Sequence, residues 1–441
     1  MSGKLRPPNR IDALSFPIFG LDWYAQQHGR DDEDTPATSS SWLAFCGGGG
    51  SAKTGVRNNI LVIHNNDLPL QISTGDQAGS SVRIYQDAGT GTTAVYMLVT
   101  VGPRVQRYAL HPTGGCVLTG ECVVGETCEH LAVSPQADQF AVGVGDEGNF
   151  KVFAMKGENF ETQLLYTMTS HSKGLTSLAY SAQGDLLISA ARDGTAIIWK
   201  DGKIFSGLRC SIPEPNGGTR GRPQQVLVRG CAFADFKGNL AVTVHSGRKS
   251  DAYVSIWKRN EENTFKCLEK TLCSELPATT MSISMDKRIL AIGLVDGSVI
   301  LWDKVEWKPI KKFVGVHGLP VTCVAARPLP VPFVNEEFPV HIRTGSLDCN
   351  TGVLTLSTKA PRKPAPLNGG GCGFCSWFFF LIYWALTLSL LYMGLSSMFP
   401  NAQAMCTAVY EQQGLVGAAQ CVFENVIWTS PQQLRVPLPP I

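Results

Sequence analysis

Apolar residues along the first 360 positions alternate with polar ones on a period of two, in short runs closed by polar or glycine-bearing turns. That period predicts half-buried β-strands rather than helices. Three stretches carry the pattern most clearly: LLISAARDGTAIIWK (186–200), SGRKSDAYVSIWK (246–258) and LAIGLVDGSVILWD (290–303). In each, an apolar strand enters a turn holding an aspartate, and a second strand reaches tryptophan six residues later. The pairs are Asp193 with Trp199, Asp251 with Trp257, and Asp296 with Trp302. QFAVGVGDEGNFKVFAMK (139–156) is a looser copy closing on Phe153. HIRTGSLDCNTGVLTLS (341–357) is another, with Leu354 six residues after Asp348.

The closing residues at 153, 199, 257, 302 and 354 recur every 45 to 58 positions or so, which suits four-stranded blades of roughly 40–45 residues plus loops. The predicted fold is an all-β propeller over residues 1–359. A further blade is expected around Phe16–Ile63 and a degenerate one within 66–128, giving seven blades, with six as the alternative. The copies resemble WD repeats, in which a histidine before the first strand bonds into the aspartate turn. His171 before Asp193 and His317 before Asp348 fit that structural role. The inserts Gln26–Ser41, acidic at 31–34, and Pro213–Gln224 read as solvated loops.

The pattern changes after residue 359. Ala360–Gly371 is rich in proline and glycine, and a linker is expected over 360–373. Phe374–Phe399 carries no charge and is apolar throughout. As a helix it would reach roughly 39 Å at 1.5 Å per residue, beyond a ~30 Å hydrocarbon core. A transmembrane helix is expected over 374–399. Lys359, Arg362 and Lys363 precede it, and the tail 400–441 carries Glu411, Glu424 and Arg435. The positive-inside rule puts the N-terminal part in the cytosol and the tail across the membrane. There Cys406 and Cys421 could pair, or remain free. Cys372 and Cys375 form a CxxC at the cytosolic border, where acylation or no role is favoured over redox chemistry.

Composition narrows the function classes. The 441 residues have a formal net charge of +2, so no basic surplus argues for nucleic acid as a partner. The N-terminus lacks an apolar run of signal-peptide length. Most of the 14 cysteines stand singly on strand-like segments. Cys116, Cys122 and Cys128, near His111 and His130, are spaced too widely for a zinc site. No Ser/His/Asp triad or paired carboxylates stand out.

One stretch departs from the blades: CGGGGSAKTGVRNN (Cys46–Asn59), between strand-like 42–45 and 60–63. It nearly matches the phosphate-cradling G-x-x-x-x-G-K-[ST]. However, Ala52 stands where that motif needs glycine, and a β-branched strand follows where it needs a helix. A glycine run costs ordering entropy, so a long loop where a short turn suffices points to a loop built to touch something.

With this loop, the WD-like blades and one C-terminal span, the chain resembles the ER-membrane guanine-nucleotide exchange factors of the Sar-type small GTPase, the prolactin regulatory element-binding protein family. The shared motif is a glycine run, two small residues, a basic residue, Ser/Thr-Gly, an apolar residue and asparagine. Here it stands as Gly47–Gly50, Ser51, Ala52, Lys53, Thr54, Gly55, Val56, Arg57 and Asn58. The resemblance implies an exchange factor without covalent chemistry that activates the GTPase at the endoplasmic reticulum to start COPII coat assembly and ER-to-Golgi transport. It implies a GTPase-binding loop of Gly47, Gly48, Gly49, Gly50, Ser51, Lys53, Thr54, Gly55, Arg57, Asn58 and Asn59. It further implies a potassium ion held by Gly48, Gly49 and Thr54. The alternative is a membrane-anchored WD scaffold without exchange activity.

Overall fold

The computed structural model describes residues 13–25, 40–51, 55–65, 67–87, 94–111, 115–157, 159–212, 225–247, 250–304, 306–326 and 337–359. All fall in one compact unit, Met1–Ala360. The expected linker, transmembrane helix and tail lie outside the described residues, as do most of the insert at 26–41, all of 213–224, and 52–54 of the glycine loop. No helix among the described residues is long and apolar enough to cross a membrane.

The alternating segments pair into seven antiparallel sheets, spanning 18–75, 79–123, 128–168, 175–209, 226–274, 278–313 and 321–359. Within each the strands are ordered as in sequence, first to last. The fold is therefore a seven-blade propeller, the larger of the two expected counts. Blade 1 runs on to Gly75, and the degenerate region resolves into a complete blade 2 at 79–123. The first strands of the blades ring the axis, each packed on the next, and that of blade 1 packs on that of blade 7.

Each pair of neighbouring blades shares its own apolar cluster, so the core is seven sheet-on-sheet layers arranged in a circle. Trp42, Val62 and Met97 fill the layer between blades 1 and 2. Phe16, Ile18, Phe45 and Cys323 fill the one between blades 7 and 1. Among the described residues, blade 7 has three strands rather than four. The ring closes through that apolar layer and two hydrogen bonds across it. Thr322 Oγ1 donates to Ile18 O at 2.5 Å, and Leu14 N to Cys349 O at 2.7 Å.

The two predicted histidines lock turns. In blade 4, Trp199 Nε1 donates to Ser189 Oγ at 2.8 Å, and Ser189 Oγ lies 2.7 Å from His171 Nε2. His171 Nδ1 sits 3.3 Å from Asp193 Oδ2. The acceptor at Asp193 assigns the proton to Nδ1, so Nε2 accepts from Ser189. Burial pushes the Asp193 carboxyl up, but hydrogen bonds from His171, Thr195 and the Ser172 and Thr195 amides outweigh it and hold it well below the usual carboxylate range. In blade 7, His317 Nε2 and Nδ1 meet Thr344 Oγ1 at 2.8 Å and Asp348 Oδ1 at 3.2 Å. These side chains are spent inside the fold.

Candidate partner-docking site

Because strands alternate in direction, the turn between second and third strands opens on the same face as the crossover into each blade. The His171–Asp193 contact joins one of each. In blades 2 to 7 that turn is short: 102–103, 145–148, 192–194, 248–251, 295–298 and 347–350. In blade 1 it is 48–57, between strands Ser41–Gly47 and Asn58–His64. The strands thus extend two residues further into Cys46–Asn59 at each end than the sequence indicated, since Cys46 and Gly47 pair with Ile60 and Asn59.

The loop has a built base. Gly48 N donates to Pro17 O at 3.1 Å. A Cβ on Gly47 would collide with that same carbonyl, and one on Gly48 with Asn58 Oδ1. Gly48, Gly50 and Gly55 hold φ of +145°, +72° and +75°, a region that glycine enters without steric cost. Asn58 ties the structure together. Its Oδ1 accepts from Gly50 N at 2.9 Å, and its Nδ2 donates to Gly50 O at 3.0 Å and Gly75 O at 2.9 Å.

The predicted contact residues therefore separate. Ser51, Gly55 and Arg57 are exposed, and Gly49 and Gly50 partly so. Gly47, Gly48, Asn58 and Asn59 are buried. Asn58 and Asn59 stand beneath the loop, not on its surface, because the strand extends through them. Asn58 is engaged inside the fold; Asn59 Nδ2 is buried without a hydrogen-bond partner among the described residues. Lys53 and Thr54 lie outside the described residues.

The chemistry of the base bears on a potassium ion. Gly50 O is occupied by Asn58, whereas the Gly48 and Gly49 carbonyls accept no hydrogen bond among the described residues. Hard cations take such oxygens, so these two fit the expected role. The described residues contain no cluster of histidine, cysteine or acidic side chains suited to a metal.

Around the loop, the same face carries exposed Phe19, Val295, Val314, Leu319 and Leu347, from blades 1, 6 and 7 and the crossovers beside them. At the axis is a channel of about 340 Å³ lined by the first strands. Sequence reasoning missed it, because no local motif marks residues that meet only when seven strands converge.

Comparison with known proteins agrees with the architecture. Residues 162–200 match the family model for the WD domain, G-beta repeat. That stretch carries His171, Ser189, Asp193 and Trp199, the complete bonded network. Over 226 residues the chain is 25% identical to Striatin-4 of Mus musculus, covering 46% of this chain and 28% of that protein. The match thus spans under a third of that relative's length. The chain carries a WD repeat on a seven-blade propeller, a scaffold suited to protein–protein interaction.

Proposed function

We propose that the propeller is a docking platform for a Sar-type small GTPase, and that its blade-1 loop promotes GDP release from it at the endoplasmic reticulum membrane. The observation that supports this reading is the loop itself: residues 48–57, where other blades use two to four, on a base braced by Asn58. A loop that binds the nucleotide-free GTPase better than the GDP-bound form shifts the population toward release without covalent chemistry. Exposed Ser51, Gly55 and Arg57 are its contact residues, with Lys53. Potassium, held by the Gly48 and Gly49 carbonyls with Thr54, would fix the loop's shape. A helix over 374–399 would tether the platform beside the membrane and raise the local concentration of the activated GTPase.

The test is GDP release from a Sar-type GTPase with residues 1–360, intact and with 48–57 replaced by the Gly-Pro turn of blade 2. Acceleration by the intact unit and its loss in the replacement are expected. Binding without acceleration would leave the second reading, a scaffold without exchange activity. The exposed apolar residues on the loop's face favour that reading if the loop proves dispensable.

A further inference from the structure

In the first strand of each blade the pairing register shifts once. The bulged residues of six blades are Phe19, Ser80, Thr176, Arg229, Thr279 and Thr322, and all line the axial channel. Bulges re-aim side chains, and here several are used to stitch blade to blade. Thr176 Oγ1 donates to Val228 O at 2.8 Å, Thr279 Oγ1 to Val321 O at 2.6 Å, and Thr322 Oγ1 to Ile18 O at 2.5 Å. In blade 3, His130 Nε2 reaches Leu175 O at 3.0 Å in the same sense.

Blade 5, like blade 1 with Phe19, interrupts this stitching. Where its neighbours on the ring place threonine, it places Arg229, whose Nε is buried without a hydrogen-bond partner. Among the described residues no carboxylate pairs with Arg229, and Arg192, exposed on the adjacent turn of blade 4, adds a second positive charge. Burial, reinforced by Arg192, lowers the Arg229 pKa. Deeper in the channel the balance differs. Arg83 donates to Val82 O at 2.8 Å and lies near Asp22, whose carboxylate accepts from Ile84 N at 2.7 Å. On the blade-3 side, Glu129 lies near Asp146 and Arg192, and its carboxylate is 3.8 Å from His130 Nε2; burial takes the His130 pKa down to about 4, so that contact is not an ion pair at neutral pH. Arg229, at the mouth, has no such carboxylate beside it among the described residues.

Arg229 is half-buried, and its Nε, buried with no hydrogen-bond partner among the described residues, carries a desolvation cost that a bound anion would offset. The fork of an arginine fits oxyanions. A carboxylate can be satisfied by a single arginine fork, whereas a phosphate offers further acceptors for a second guanidinium and for hydroxyls. Ser177, Thr280 and Ser282 supply such hydroxyls on the channel wall. We propose that the mouth of the axial channel is a binding site for a small phosphate-bearing anion, held by Arg229 and Arg192 and seated among these hydroxyls. The site is separate from the blade-1 loop and independent of the exchange reading.

The test uses the full chain and pyrophosphate as probe, followed by calorimetry and thermal unfolding at constant ionic strength. Arg229→Thr restores the residue that blades 4, 6 and 7 use, so this variant should fold and unfold at no lower temperature than the parent. Binding should weaken roughly ten- to hundredfold, the loss of a charge-assisted pair. Arg192→Gln, an exposed change that leaves the channel wall untouched, should weaken binding in the same direction and serves if the first variant does not fold. Absence of pyrophosphate binding by the parent, or equal binding by the foldable variants, would overturn the proposal.

Discussion

Asn58→Asp replaces one NH₂ by an oxygen of almost the same size, so it probes the loop base without changing its volume. The native amide accepts one hydrogen bond and donates two, to Gly50 O at 3.0 Å and Gly75 O at 2.9 Å. An ionised carboxylate keeps the acceptor and loses both donors. It would also hold a negative oxygen against two carbonyl oxygens at those distances. Stranding a buried polar group costs about 1–3 kcal/mol; Gly50 is half-buried and Gly75 exposed, so water offsets part of the loss and the two carbonyls together cost about 1–3 kcal/mol. Asn58→Ala loses the same donors without introducing charge, and should cost no more than the aspartate at neutral pH.

The pH dependence carries the sharper test. Burial and the facing carbonyls disfavour the introduced charge, so the folded-state pKa of that carboxyl lies above its unfolded value of about 3.9. Its contribution is therefore most favourable below that value and is lost as pH rises through the folded pKa. Measured by urea unfolding against wild type at each pH, the penalty should be largest near pH 7.5 and shrink toward pH 5. Trypsin cleavage at exposed Arg57 should accelerate in parallel if the loop opens locally. A penalty below about 0.5 kcal/mol at pH 7.5, or one that grows on acidification, would refute the account of Asn58 as the brace of the loop.

Ser189→Ala removes the hub between Trp199 Nε1 and His171 Nε2; with both left buried, urea unfolding should report a loss of about 2–4 kcal/mol. His245 is fully buried with Nε2 on Ser211 O at 3.1 Å and Nδ1 unpartnered, and burial, reinforced by Lys270 against that bond, takes its pKa from 6.5 down to about 4. A depressed pKa means stability is full above 6.5 and falls from there to about 4, by about 1.4 kcal/mol per pH unit; in His245→Phe the pH slope of unfolding free energy should fall by that amount. Cys349 holds φ +61° at a turn position where blades 4 and 6 place Gly194 and Gly297, so Cys349→Gly should raise unfolding free energy by up to about 1 kcal/mol.

Legibility in the sequence followed the range of the interactions. Asp193 and Trp199, or Asp296 and Trp302, stand six residues apart because one hairpin fixes both, and a local device leaves a local pattern. Blade 2 was obscure because its turn is Gly102–Pro103 rather than Asp-Gly. Its third strand also places Tyr108 at the register shift where blades 4, 5 and 6 place Trp199, Trp257 and Trp302. The substitution keeps the aromatic packing while erasing the signature. The resemblance put Asn58 and Asn59 among the contact residues of the loop, and only the pairing with Gly75 and Ser73 reveals them as strand.

Two devices on one face obey a common logic. At Asn58 a polar side chain is fully satisfied, and the loop it braces is held in glycine conformations no other residue enters cheaply. At Arg229 a buried Nε is left without a partner among the described residues, in a ring where the threonines of blades 4, 6 and 7 show how it could have been avoided. Threonine at 229 would cost less in desolvation and would complete the stitching between blades 5 and 6. Stability alone therefore favours threonine there, just as it favours a two-residue turn in place of 48–57. Both departures place backbone or charge on the face that the crossovers and short turns share. A fold that is otherwise regular gives up stability there at two places, and that is the physical ground for locating function on this face rather than on the opposite one.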